Sequence, residues 1–266
     1  MKADVLSIQA EKIKSIDLPE HFSEEIRPDL IRKVFLVQQA NQRQPYGAAP
    51  EAGQRAAAKL SRRRRDFKSA YGKGIARTPR KTLSRRGSQF TWVGAVAPNT
   101  VSGRRAHPPK ASKIWNLEIN KKEKRKAIRS AIASTLNKDL LQVRGFSAFS
   151  TLPLIIEDKF ESIQKTKDAL IILKKLGLEK EIQRVAEKSI KSGKGKSRGN
   201  KYKRKKGPLV VVSKNCPLQK AIKNIQGFET CTVNKLNTKA LAPGAQPGRL
   251  VIWSLPSIEK LKTLFT

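Results

Sequence analysis

Residues 45–111 interrupt this chain with 67 positions that hold sixteen Lys or Arg and only two acids, Glu51 and Asp66, leaving a local net charge of +14. The cations are Arg55, Lys59, Arg62, Arg63, Arg64, Arg65, Lys68, Lys73, Arg77, Arg80, Lys81, Arg85, Arg86, Arg104, Arg105 and Lys110. Gly, Pro, Ser and Ala fill most of the remainder, and the aromatics Tyr46, Phe67, Tyr71, Phe90 and Trp92 are spread singly. Such a segment has too little apolar surface to offset the entropy of ordering its backbone, and its charges repel. It is expected to have no core of its own. A loop this long inside a compact protein is either disordered or functional. Its order must come from a partner of matching negative charge density, and nucleic acid is the common one.

The flanks are periodic. Residues 4–18 alternate as a short hairpin, and Ile26, Leu30, Val34, Val37 and Asn41 follow helical spacing with Pro28 in the first turn. Helical periodicity resumes where Asn120 to Glu123 read as a capping box, with Ile128, Ala131, Ile132, Thr135 and Leu136 on one face. Strands and helices then alternate. Runs at 154–156, 209–212, 228–233 and 250–253 read as strands. Helices are expected around 169–176 (stopped by Gly177), 182–186, 217–225 (closed by Gly227) and 258–265. Continuous apolar strands separated by helices predict one α/β domain, residues 1–44 and 112–266, with a mainly parallel sheet flanked by helices. The helices at 23–44 and 120–138 should pack on that sheet. The long, extended, basic loop is then an excursion whose ends lie close together.

A second basic run, residues 191–207, holds nine Lys or Arg and no acid. Lys194, Lys196, Arg198, Lys201, Lys203, Arg204, Lys205 and Lys206 within it are read as RNA contacts, against the plainer reading of a solvated linker. The whole chain carries 57 Lys+Arg against 21 Asp+Glu, a net charge of +36 over 266 residues. Charge on that scale predicts tight, salt-sensitive association with a polyanion. No apolar run of 18 residues exists and the basic segments lack an apolar face, which argues against a membrane partner. The N-terminal residues show no secretory pattern, and Cys216 and Cys231 form no C-x-x-C pair, so a reducing, cytoplasmic setting is expected.

Catalytic signals fail one by one. Gly195-Lys196-Ser197 ends like a phosphate-binding loop, but its first glycine would fall at Ile190. Gly72 and Gly74 begin a dinucleotide fingerprint that breaks at Arg77, and no strand precedes it. His21, expected in a loop, and His107 pair with neither cysteine for metal binding or catalysis. Cys216, at a helix start among lysines, is read as a simple buried or capping thiol rather than an activated one. Glu157 and Asp158 read as the polar start of a loop. No enzyme activity, cofactor or metal is expected. An RNA-modifying enzyme would need a Gly-rich cofactor turn that is missing, and a chromatin-type DNA-binding protein would not need so long an insertion.

Several long blocks carry a family resemblance: RPDLIRKV at 27–34, QPYGAAPEAGQR at 44–55, YGKGIARTPR at 71–80 and SGRRAHPPKASKIW at 102–115. INKKEKRKAIRSAIAST at 119–135, KSGKGKSRGNKYKRKKGPLVVV at 191–212 and LAPGAQPGRLVIW at 241–253 complete it. In these the chain resembles the universal large-subunit ribosomal protein four family. The end at Thr266, without the long eukaryotic extension, points to the archaeal form. KLSRRRRDFK at 59–68 departs from the family motifs.

The resemblance implies a structural constituent of the large subunit, with a globular domain on the solvent side. It implies a loop threaded into ribosomal RNA whose tip, around residues 62–86, lines part of the peptide exit tunnel. The implied partners are large-subunit ribosomal RNA, neighbouring ribosomal proteins and the nascent peptide. The residues expected on RNA are the loop cations from Arg55 to Lys110, Lys59 apart, with Tyr71 and Trp92, and the run from Lys194 to Lys206. Tyr71, Phe90 and Trp92 are expected either to stack on unpaired bases or merely to pack on ribose or on the loop itself.

Overall fold

The structure, a computed structural model, describes residues 1–66, 68–87, 89–147 and 151–265; Phe67 lies outside them. In chain order its first elements are β1 (Lys2–Leu6), β2 (Lys12–Asp17), α1 (Pro28–Asn41), β3 (Arg80–Arg86), β4 (Gln89–Gly94) and α2 (Lys121–Ala133). Then come α3 (Lys138–Val143), β5 (Leu154–Ile156), α4 (Thr166–Lys175), α5 (Glu179–Ala186), β6 (Lys188–Ile190) and β7 (Tyr202–Arg204). The chain finishes with β8 (Leu209–Val212), α6 (Pro217–Lys223), β9 (Glu229–Thr232), α7 (Thr238–Leu241), β10 (Val251–Ser254) and α8 (Leu255–Leu261). These form two compact units, Met1–Gln42 with Asn116–Thr266, and Arg43–Trp115.

The first unit is built on a six-stranded sheet in the order β2-β1-β5-β10-β8-β9. Only the β1–β2 pair is antiparallel; the other four pairings are parallel. Every residue of β5, β8 and β10 is buried, because helices cover both faces. The two-residue period of a strand divides their side chains between two cores. Ile155, Leu209, Val211, Val251 and Trp253 face one, with Ile31 of α1, Ile128 and Ile132 of α2 and Ile258 of α8. Leu154, Ile156, Val210, Val212 and Ile252 face the other, with Leu141 of α3, Leu173 of α4 and Leu218 and Ile222 of α6. Each such aliphatic side chain contributes roughly 1.5–3 kcal/mol by leaving water. Trp253 is fully buried and meets the edge of Phe22 at 5.6 Å. The parallel sheet, the helices on both faces and the packing of α1 and α2 on it agree with the sequence reading.

Several local expectations change. The capping box at Asn120 does not form: Asn120 makes no side-chain cap, and Glu123 bonds Lys33 on α1 at 2.9 Å instead. The helix there ends at Ala133 in a 3-10 turn, and a separate α3 follows, capped by Asn137 Oδ1 accepting from the amides of Asp139 and Leu140. The terminal helix starts earlier than its apolar spacing suggests, at Leu255, with its proline in the first turn. His21 is not in an open loop: it is buried in a 3-10 turn, its Nε2 2.7 Å from the Leu264 carbonyl.

Asn41 and Leu117 exchange two hydrogen bonds, Asn41 Nδ2 to the Leu117 carbonyl at 3.1 Å and the Leu117 amide to Asn41 Oδ1 at 2.8 Å. The chain therefore leaves and re-enters the first unit at one place, as expected.

The second unit carries elements that its composition concealed. β3 and β4 pair antiparallel from Arg80–Gly94 to Arg86–Gln89, with a register shift between Thr82 and Ser84. Thr82, Leu83, Phe90, Thr91, Trp92 and Val93 are strand formers, and they prevail locally over the surrounding charge. At its base the two arms touch backbone to backbone, the Ala48 amide donating to the Pro109 carbonyl at 3.0 Å. Gly47 is required there, because a Cβ would lie 2.5 Å from the Ala111 nitrogen.

Candidate nucleic-acid interface

In the second unit Arg55, Arg62, Arg63, Arg64, Arg65, Tyr71, Lys73, Arg77, Lys81, Arg85, Arg86, Arg105 and Lys110 are exposed. Lys68, Arg80, Trp92 and Arg104 are half-buried. The β3–β4 hairpin gathers part of this set around aromatic rings. Phe90 and Trp92 stack at 5.2 Å with planes 21° apart, and Lys73 Nζ lies 5.5 and 5.2 Å from their centroids. Arg80 lies 5.6 Å from the Trp92 ring, Arg85 the same distance from Phe90, and Arg77 5.0 Å from Tyr71. The rings thus pack on one another within the unit and hold cations over their faces. A guanidinium fixed on an aromatic face keeps its edge donors for a phosphate and loses less freedom on binding.

A second aromatic cluster escaped the sequence reading. Tyr46 and Trp115 stack at 6.1 Å, Arg43 lies 3.5 Å from the Trp115 centroid and Lys113 4.3 Å from it. Arg105, His107 and Lys110 join Tyr46 and Trp115 around a pocket of about 540 Å³. The signal was present as cations interleaved with aromatics at 43–46 and 113–115. It was missed because residues outside 45–111 were assigned to the globular domain.

The second basic run belongs to the first unit and has structure of its own. β6 and β7 pair antiparallel, Lys188 opposite Arg204 and Ile190 opposite Tyr202. Lys194, Lys196, Arg198, Lys201, Lys203, Arg204, Lys205 and Lys206 are all exposed. The run is not free of acids in space. Lys205 Nζ pairs with Glu187 at 2.6 Å, holding that carboxyl below the usual carboxylate range, and Lys206 pairs with Glu229. Beneath the hairpin sits Arg249, fully buried. Its Nε donates to the Gly207 carbonyl at 2.9 Å, and its Nη1 donates to Glu229 at 2.8 Å and to the Ala240 carbonyl at 2.7 Å. Burial depresses the guanidinium's proton affinity, and the Glu229 charge opposes that effect. Burial raises the Glu229 carboxyl, but Arg249 and Lys206 outweigh it and hold the group below its ordinary range.

Elsewhere the polar groups are structural. At the carboxyl ends of β8 and β10, where parallel α/β sheets commonly bind ligands, Glu161 accepts from the Ser213 amide, the Ser213 hydroxyl and the Ser254 hydroxyl. Glu157 accepts from the Ile8 amide at 3.0 Å. Burial pushes the Cys216 thiol up, away from the thiolate that a nucleophile needs. Among the described residues no group of three or more His, Cys, Asp or Glu side chains could hold a metal ion. Among them also, no helix is long and apolar enough to cross a membrane.

The first unit is thus an α/β body with one cation-bearing hairpin and a sheet-end carboxylate bound to serines, and the second unit carries another cation-bearing hairpin. Residues 16–264 match the Ribosomal protein L4/L1 family, and the chain belongs to that family. It is 46% identical over 263 residues to the large ribosomal subunit protein uL4 of Nanoarchaeum equitans, covering 98% of each chain. It is 42% identical to that of Methanocaldococcus jannaschii over 268 residues, covering both chains fully, and 40% identical to that of Archaeoglobus fulgidus over 98% of each. The family is structural rather than enzymatic.

Proposed function

We propose that this protein is a structural constituent of the large ribosomal subunit in the cytoplasm, bound to large-subunit ribosomal RNA through residues 45–111 and 191–207. The observation that carries the reading is the coincidence of the two dense basic segments with folded hairpins. The β3–β4 hairpin holds its cations on aromatic faces, and the β6–β7 hairpin presents exposed Lys201, Lys203 and Arg204. The family match spans both. Arginine forks bridge phosphates, and dispersed contacts of this kind join RNA segments during assembly.

In the assembled particle residues 45–111 adopt an extended path. About 33 residues out and as many back reach at most ~110 Å at ~3.3 Å per residue. The tip around residues 62–86 then lines part of the polypeptide exit tunnel, beside the nascent peptide, while the first unit stays outside among neighbouring ribosomal proteins. A photo-reactive side chain in place of Tyr71 tests the placement. In ribosomes carrying a stalled nascent chain it should cross-link to that chain or to tunnel RNA. Cross-links confined to surface RNA or to surface proteins would contradict it.

A further inference from the structure

Neither basic hairpin includes α2, yet residues 121–129 hold six cations against one acid, Glu123. In space that acid is taken up by Lys33 at 2.9 Å, while Arg129 pairs with Glu24 at 2.9 Å. Lys122 is exposed and Lys126 half-buried, and among the described residues neither makes an ion pair. Between α1 and α2 lies a groove of about 420 Å³, lined by Leu30, Lys122, Glu123, Arg125, Lys126 and Arg129. Its floor is aliphatic, from Leu30 and the stems of the long side chains, and its rim is cationic.

We infer that this groove between α1 and α2 is a third docking surface for a strand of ribosomal RNA, with ribose or base over Leu30 and backbone phosphates on Lys122 and Lys126. The inference rests on the ribosomal-RNA reading above and deepens it. A merely solvated helix places acids in its first turn and bases in its last, in accord with the helix dipole. α2 departs from this: Lys121, Lys122 and Lys124 outnumber Glu123 at its positive end, its last turn has no base, and Asn120 provides no side-chain cap. That arrangement opposes the stability of the isolated helix and is relieved by phosphates. An apolar floor beside cations suits a nucleotide, which brings both kinds of surface.

The test uses the full-length protein and a transcript of archaeal large-subunit ribosomal RNA, with affinity measured against salt. Each phosphate contact contributes roughly −0.7 to −0.9 to the log–log slope, so K122A/K126A should make it shallower by about 1.4–1.8. The thermal midpoint of this variant should be no lower than wild type, since alanine favours the helix and one cation, Lys122, leaves its positive end. A photo-reactive residue replacing Leu30 should cross-link to RNA within subunits. K201A/K203A/R204A serves as the reference for the second hairpin. An unchanged slope for K122A/K126A beside a shallower one for the hairpin variant overturns the inference and leaves the ribosomal-RNA reading standing. Cross-links from position 30 to an acidic protein segment also overturn it. Affinity that ignores salt in wild type and both variants overturns the inference together with the reading beneath it.

Discussion

Arg249 joins the sheet to the second basic hairpin through single hydrogen bonds, so its removal has several local consequences at once. Arg249→Met keeps the aliphatic volume but strands the buried Gly207 carbonyl and the half-buried Ala240 carbonyl, and leaves Glu229 to Lys206 alone. Buried polar groups left unpaired cost ~1–3 kcal/mol each, and urea titration should show a loss of about 2–4 kcal/mol. A loss under about 0.5 kcal/mol would mean that the carbonyls find other donors. Glu229 adds a pH dependence. Its folded-state carboxyl lies below the ordinary carboxylate range, so its contribution is complete above the unfolded-state value of about 4.3. That contribution is lost as pH falls through the lower folded-state value. Glu229→Gln should therefore flatten this part of the acid limb of stability against pH, and an identical acid limb in the variant would remove Glu229 from the account.

Elements carry the next level of the argument. The β6–β7 hairpin returns to the sheet past Gly227, whose φ is +74° and where a Cβ would lie 1.7 Å from Val185 Cγ1 on α5. Gly227→Ala forces α5 and this turn apart and imposes a left-handed backbone on alanine. A cost of ~1–3 kcal/mol from overpacking should lower the thermal midpoint by about 3–9 °C. A midpoint within about one degree of wild type would show that α5 yields freely. The same elements show what sequence makes legible. β5, β8 and β10 are readable because burial on both faces demands unbroken apolar runs. α3 and α7 span only 6 and 4 residues, too short for a periodic signal, and each is held by an asparagine cap. β3 is masked because Arg80, Lys81, Arg85 and Arg86 flank its two strand formers, Thr82 and Leu83, and β4, which carries no cation, is obscured only by the basic composition around it. The cations of the interface follow from composition. The Lys205–Glu187 and Lys206–Glu229 pairs, and Arg249 beneath them, do not, because their partners lie 18 to 42 residues away and are brought together only by the β6–β7 hairpin in the first case and by the fold around the six-stranded sheet in the others.

For the whole molecule the governing quantity is the net charge of +36. A polyanion relieves the self-repulsion of such a chain, so the free protein and the assembled one differ most where cations are densest. The first unit encloses two apolar cores, so on the proposed function it should hold its fold without RNA. The second unit buries little beyond small residues such as Ala70 and Ala95, so on the proposed function it should depend more heavily on RNA. Membership of the Ribosomal protein L4/L1 family implies association with the large ribosomal subunit. Sedimentation of the native protein through a sucrose gradient, at moderate and then raised salt, tests this most directly. The account predicts a peak with large ribosomal subunits that survives raised salt and collapses after ribonuclease treatment. A protein that remains at the top of the gradient, or whose position ignores ribonuclease, would contradict it.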